Sequence, residues 1–414
     1  MRFSCMMLLG LAALAALVTA APGQANPDEV IVTLNSATYL LAVEPNGMVK
    51  TFCNTGLRAQ CITEDLYNDG VLFGTSASPG DLIRVSMTGV AHTLVVGGPY
   101  VVDLDVDGDG NWMGAGFGTG GKQQNAVFTI SPTGTITTLI QGGAPFGKIY
   151  AMGLDMASGD VVVFDGAGYL LRITRTTPPV VTTLISSLTT GGSGGLHPLH
   201  GAHGQLIGVW NNTTVYRITL NAPNPLTTIF NGSPFTWLAD VEYEPATGLY
   251  LIADLKNTQG AIYRFDPHAA AVTTLVNLSG VRPTQIAVVG GRHLSAVGPA
   301  KVGQPFAMKV SMPTYPGAFY VTALSFGCTP GLTLPGGLKV WLAPDTLFSL
   351  SLTNMPPLFN GFQGTLSAQG AAGPTLNIPN VPLLAGLRLF AGAVAFHGPT
   401  PLRASEPLGF TVQP

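Results

Sequence analysis

The sequence predicts an all-β protein, and three observations predict it. One phrase recurs six times: a short alternating apolar run, a turn rich in Gly, Pro or Asn, then Thr-Thr-Leu or a close relative. Such a phrase encodes a two-stranded hairpin, because alternation with period two gives one face to a core and the turn residues reverse the chain. Composition agrees: charged residues are 9% of 414 positions, against 53 Gly and 32 Pro, so turns are frequent and long charged helices are disfavoured. The spacing agrees as well. The phrase returns every 43 to 47 residues or so, which leaves room for a second pair of short strands in each repeat.

The six hairpins are Tyr39–Cys53, Leu82–Val96, Val127–Ile140, Tyr169–Ile185, Val215–Phe230 and Ile262–Val276. Inner strand pairs are expected at Asp65–Thr75, Asp103–Ala115, Gly153–Phe164, Leu199–Trp210, Asp240–Ala253 and Gln285–Ala296. Four strands per repeat and six repeats make a six-bladed β-propeller. The repeats begin on an outer hairpin and end on an inner pair, so joining the two completes the sixth blade. That split-blade closure removes the open edges of the ring.

Before the repeats, Arg2 precedes the apolar run Met6–Val18, and small residues follow with cleavage points after Ala21 or Ala25. This is the layout of a secretory signal peptide over residues 1–25. The mature chain is expected to be secreted, at the cell surface, in the periplasm or outside the cell, and to carry no transmembrane helix. Export permits disulfides. Cys53 and Cys61 flank a short loop and are expected to bridge, with two buried thiols as the alternative, while Cys328 is expected to be a buried thiol.

From Gly298 the repeating phrases stop and a different module is expected over 298–414, after a propeller spanning 26–297. Short strands are predicted at Phe306–Met312, Phe319–Phe326, Leu338–Leu342, Leu347–Leu352, Phe362–Gln369, Leu387–Phe396 and Phe410–Val412. Strands of that number and length suit a small β-sandwich.

The strand-end phrases Leu251-Ile252-Ala253-Asp254 with Ile262-Tyr263-Arg264-Phe265, and Val163-Phe164-Asp165 with Leu171-Arg172-Ile173, resemble the six-bladed β-propellers of extracellular proteins. That broad group includes NHL-repeat proteins, YWTD-type propellers and the senescence-marker/gluconolactonase family. The resemblance implies the fold. It does not imply one activity, because this architecture carries many.

Four sets of residues are candidates for chemistry. Asp105, Asp107, Asp109 and Asn111 alternate before and around Gly110, matching the first half of a calcium loop. The second half fails, since Gly116 stands where such a loop places a bidentate Glu, so both a modest Ca2+ site and a plain acidic turn are open. Aligning the inner pairs by their first residues puts Asp65, Asp103, Gly153, Leu199, Asp240 and Gln285 together near the channel mouth. Their acids and amide suit either a wet channel or, as the lactonase resemblance implies, a cation on the channel axis. His197, His200 and His203 lack the convergent spacing of metal ligands, but His200 near the channel mouth is a candidate ligand-binding or acid/base group. Asp165, Asn211 and Asp254 are expected to cap turns.

No Gly-rich phosphate loop, paired Cys-x-x-Cys motif or Gly-x-Ser-x-Gly elbow occurs in the sequence. A formal charge of −3, with 18 Lys and Arg scattered along the chain, disfavours nucleic acid as a partner. The reading is a secreted, monomeric binding or structural protein whose propeller-face loops meet a protein or carbohydrate. The alternative is a metal-dependent hydrolase of lactonase type with its cation in the channel. A quinone-dependent sugar dehydrogenase is weaker, because basic residues for an anionic quinone are sparse.

Overall fold

The computed structural model describes residues 28–35, 37–65, 70–77, 79–107, 109, 111–117, 125–142, 147–156, 158–188, 194–200, 202, 204–210, 213–255, 259–289, 293–328, 330–335 and 338–414. The expected signal peptide, Gly110, His203 and Asn211 lie outside the described residues.

Six four-stranded antiparallel sheets form the first part of the chain. Their innermost strands are β1 (Ala59–Asp65), β2 (Tyr100–Val106), β3 (Ile149–Leu154), β4 (Gly194–Pro198), β5 (Leu238–Glu244) and β6 (Pro283–Val288). Each of these adjoins the next, and β6 adjoins β1, so the sheets close into the ring of a β-propeller. The recurring Thr-Thr pairs lie exposed on the outermost strands, as in Ile136–Gln141, Val181–Ile185 and Leu226–Asn231. Threonine suits a perimeter strand, since its branched Cβ favours extended backbone and its hydroxyl tolerates water.

The core lies between blades. Met113 and Val127 of the β2 blade pack on Val163 and Leu171 of the β3 blade. Phe164 of that blade stacks on Trp210 of the β4 blade, with centroids 5.2 Å apart. Alternate side chains of each strand thus face the two neighbouring blades, and the middle strands are buried on both sides.

Ring closure differs from the expected pairing of two halves. Strand β6 pairs with Val30–Leu34, which pairs with Tyr39–Val43 and then Val49–Asn54, so one strand from the end meets three from the beginning. The expected pair Gln285–Ala296 is divided: β7 (Leu294–Ala296) leaves the ring and pairs with β8 (Pro305–Ser311). Val30–Leu34 is buried throughout, so its apolar run carries no alternation to mark it as a strand.

Two five-stranded sheets follow. One is built on β8, the other on β9 (Phe319–Ser325) and β10 (Arg388–His397), with β11 (Thr400–Ala404) and β12 (Leu408–Thr411) beside β10. Phe306 and Met308 from the first meet Leu324, Ala393 and Phe410 from the second in one apolar cluster. The strand expected at Leu347–Leu352 is instead the helix α1 (Thr346–Ser351), because Asp345 caps it by accepting from the Phe348 N–H.

This module is docked across the C-terminal ends of the inner strands. Arg388 donates from Nη2 to the Met156 carbonyl just past β3 at 2.9 Å, and Trp341 Nε1 to the Tyr243 hydroxyl on β5 at 3.2 Å. Arg403 donates from Nε to His293 Nε2 at 2.7 Å and from Nη2 to Asp28. One end of the channel is therefore covered. No helix among the described residues is long and apolar enough to cross a membrane.

Candidate functional site

The inner strands of neighbouring blades do not form a hydrogen-bonded ladder with one another, so some of their N–H groups need other acceptors. Three expected site residues supply them. Asp103 on β2 accepts from the Met152 N–H on β3 at 2.7 Å. Asp240 on β5 accepts from the Ile286 N–H on β6 at 2.9 Å. Gln285 on β6 accepts from the Ile62 N–H on β1 at 3.0 Å, and donates to the Val102 carbonyl at 3.0 Å and to Asp103 at 3.2 Å. Each side chain latches its strand to the next. The other oxygens of Asp103 and Asp240 accept from the N–H groups of Leu104 and Val241 in their own strands.

Burial holds the Asp103 carboxyl up at about 8, with Asp105 pushing the same way against the hydrogen bonds it accepts. Asp240 is raised well above the usual range by burial and then by Asp103. Among the described residues no three His, Cys, Asp or Glu side chains gather closely enough to hold a metal ion.

Asp65 does not join this level. It is the last residue of β1, at the covered end, where its carboxylate meets Arg84 at 3.2 Å. Gly153 and Leu199 are displaced toward the same end. A register shift in β1, β2, β3 and β5 makes Cys61, Asp103, Ala151 and Asp240 equivalent, so aligning by predicted first residues set these strands out of step.

His200 also lies at the covered end rather than near the open mouth. Its ring is 4.0 Å from that of Tyr243, and its Nε2 is 3.9 Å from Glu406 in the segment between β11 and β12. His197 is beside it, 3.4 Å from Glu242. Burial works against its imidazolium, but Glu242, Glu406 and Asp105 outweigh that and raise it to about 9.

The Asp105 to Asn111 turn is at this end too. Asp107 caps its own turn, accepting from the N–H groups of Asp109 at 2.9 Å and Asn111 at 2.7 Å. Arg175 Nη2 donates to Asp107 at 2.9 Å and Asp109 at 3.2 Å. A guanidinium thus meets the carboxylates that the sequence offered to calcium. The expected Cys53–Cys61 bridge is not formed: both are buried free thiols, in different apolar clusters, and Cys53 donates to the Gly89 carbonyl at 3.1 Å. Asp165 caps its own turn through the N–H groups of Ala167 and Tyr169, whereas Asp254 reaches back to those of Thr236 and Trp237 ahead of β5.

The uncovered end holds a cavity of about 200 Å³, to which all six inner strands or their leading residues contribute. Gln60, Tyr100, Lys148, Tyr150, Thr284 and Gln285 line it, over the level of the latches. The Lys148 ammonium lies 5.3 Å from the centre of the Tyr150 ring. Leu255 in the wall donates its N–H to the carbonyl of Trp237, just before β5, at 2.8 Å, and Trp237 is 42% exposed. Apart from Gln285, none of these residues was a candidate from sequence. They come one or two at a time from the starts of different strands, Lys148 with Tyr150 at β3 and Thr284 with Gln285 on β6, and no local motif joins them.

The sequence matches no family model and no curated protein. Solved structures do resemble the ring. A chain from a nidogen/laminin complex superposes with a TM-score of 0.50 at 12% identity, covering 63% of this chain and 98% of that one. A gluconolactonase from Xanthomonas campestris gives 0.43 at 14% identity, covering 56% and 95%. A β-propeller domain from Myceliophteria thermophila gives 0.39 at 14% identity, covering 67% and 94%. The ring, with the likeness to the nidogen/laminin chain, defines the class as a β-propeller protein; the likeness extends to fold alone.

Proposed function

We propose that the protein is a secreted binding module, a six-bladed propeller backed by a β-sandwich, that presents its open channel mouth to a protein or carbohydrate partner. The observation that carries this reading is the asymmetry of the channel. Its covered end is closed by ion pairs, buried rings and the C-terminal module around a cavity of about 60 Å³, while its open end is a cavity of about 200 Å³ walled by tyrosines, amides and one lysine, with Trp237 exposed just before β5. Aromatic faces with polar groups around them suit recognition of sugars and of polar protein side chains.

The lactonase-type alternative asks Asp65, Asp103, Asp240 and Gln285 to surround one cation. It gains little support from a geometry in which Asp65 lies at the other end of its strand and both oxygens of Asp103 and Asp240 accept backbone N–H groups. Screening the mature chain on a glycan array and by pull-down, beside Tyr150→Ala and Trp237→Ala variants, tests the proposal. A partner lost in both variants supports it. Lactone hydrolysis that needs added metal and disappears in Asp240→Ala would replace it with the hydrolase.

A further inference from the structure

The C-terminal module contains a second cavity, of about 170 Å³, at one end of its two sheets. Its floor is Leu324, Phe359 and Leu376, all buried, and its rim includes Leu347 of α1, Leu358 and Leu384. The exposed wall is wholly apolar. A void of about 150 Å³ lined by Leu, Ile and Phe stays dry and accepts a hydrocarbon of benzene size. This one is as large and opens to solvent.

We infer that this cavity is a binding site for a single uncharged alkyl chain, such as that of a long-chain alcohol or ester. Three observations select that occupant. A peptide segment would bring N–H and C=O groups that need partners, and the wall offers none. An ionised head group would need a counter-charge, yet residues 326–389 contain only Lys339, Asp345 and Arg388 as charged side chains, and Arg388 is engaged with the Met156 carbonyl of the ring at 2.9 Å. Asp345 is already occupied by the N–H groups of Phe326 and Phe348 and the Ser325 hydroxyl, and the Lys339 ammonium lies over the Trp341 ring. Phe326 in the wall is 53% exposed, and Leu383, next in sequence to Leu384 of the rim, is 92% exposed, so the surroundings are neutral and apolar and match a neutral chain in charge. The site is independent of the channel mouth.

The test uses the full mature chain and monomeric 1-alkanols from hexanol to decanol, with decanoate as the charged comparison, by isothermal titration. Saturable 1:1 binding should tighten by about fourfold per added methylene until the cavity is full. Decanol should bind at least tenfold more tightly than decanoate, and Leu384→Trp, which fills the cavity from its rim, should weaken decanol at least tenfold. Should that variant fail to fold, the decanol to decanoate ratio in the wild type decides. Absence of saturable binding, or decanoate binding as tightly as decanol, overturns the inference. So does capture only by phosphatidylcholine vesicles, which would make this apolar surface a membrane-facing patch. A dimer that Leu383→Asp dissociates, and that excludes decanol while intact, would make it a subunit interface.

Discussion

The two ends of the channel are made by the same six strands and differ in what stands against them. At the covered end the strands finish in charged and aromatic side chains, Asp65, Asp107, His197, His200 and Glu244, nearly all buried. Asp65, Asp107 and Glu244 pair with arginines of the ring, Glu244 with Arg264 at 2.7 Å, and His200 lies 3.9 Å from Glu406 of the C-terminal module. At the open end the strands begin with Gln60, Tyr100, Lys148, Tyr150 and Thr284, and a cavity lies over them. Buried charge therefore marks the interface that the fold itself consumes. The less charged end keeps the larger of the two cavities and is the end proposed to meet another molecule.

The sharpest way to break the contrast is to unpair the covered end. Arg403 is 5% exposed and holds both His293 and Asp28 across the seam between the ring and the module. Removing one partner of a buried ion pair strands the other charge. Arg403→Ala should cost about 3 kcal/mol in urea unfolding, partner binding at the open end changing less than the fold. A loss below about 0.5 kcal/mol, the range of ordinary surface substitutions, would show that the seam is not held there.

One level up, Gln285 is the side chain that ties β6 to both β1 and β2. Gln285→Ala leaves the Ile62 N–H and the Val102 carbonyl without their partner and should cost about 2 kcal/mol. Asp103 beside it, and His197 at the covered end, set a pH dependence. Asp103 at about 8 and His197 at about 9 both hold a proton in the folded state more strongly than in the unfolded chain. The folded state then binds more protons, so stability falls as pH rises, from about 4 to 8 for Asp103 and from about 6.5 to 9 for His197. Asp103→Asn keeps an acceptor for Met152 and removes the titration. Its unfolding midpoint should decline less than the wild type's between pH 4 and 8, and parallel declines would sink the assignment.

How far the sequence could be read follows from this layering. Outer strands alternate against solvent, so the six hairpins were legible to within a few residues. The second strands, such as Gly70–Thr75 and Val161–Asp165, are buried throughout, and the innermost strands β1 and β3 each carry a bulge that alternation does not show, which hides their phase. That is why Asp65, Gly153 and Leu199 were set at the level of Asp103. The helix α1 was legible in principle, since Pro344 and Asp345 before Thr346 are helix-start signals, but the apolar run Leu347–Leu352 outweighed them. The mouth residues are gathered only by the ring and leave no trace in local sequence.

The Arg175 contact turns the calcium expectation into a competition between a tethered cation and a free one. Asp107 is pushed up by burial, pulled back by Arg175 and pushed up again by Asp109, so the guanidinium is what keeps the two acids compatible. Arg175→Ala should cost about 1 to 2 kcal/mol, since the arginine is itself partly exposed. If the turn accepts Ca2+, millimolar calcium should restore about 1 kcal/mol in the variant and little in the wild type, with a chelator reversing it. Equal midpoints with and without calcium in the variant would leave an acidic turn and no site.

The smallest effect on stability belongs to the open end, and there the comparison is sharpened rather than broken. The Trp237 backbone accepts from Leu255 and donates to Asp254, and removing its half-exposed indole leaves both of these bonds in place. Tyr150 and Lys148 lie at the start of β3 on the wall of the cavity, where truncation enlarges a space already open to water. Trp237→Ala and Lys148→Ala should each change the unfolding free energy by less than about 0.5 kcal/mol. Truncating an aromatic or charged anchor at the centre of an interface typically costs about 2 kcal/mol or more, so either variant should weaken partner capture at least about tenfold. A variant that keeps full binding would remove its residue from the site. If both keep it while Arg403→Ala abolishes binding, the partner is read by the covered side, and the assignment of the two ends is reversed.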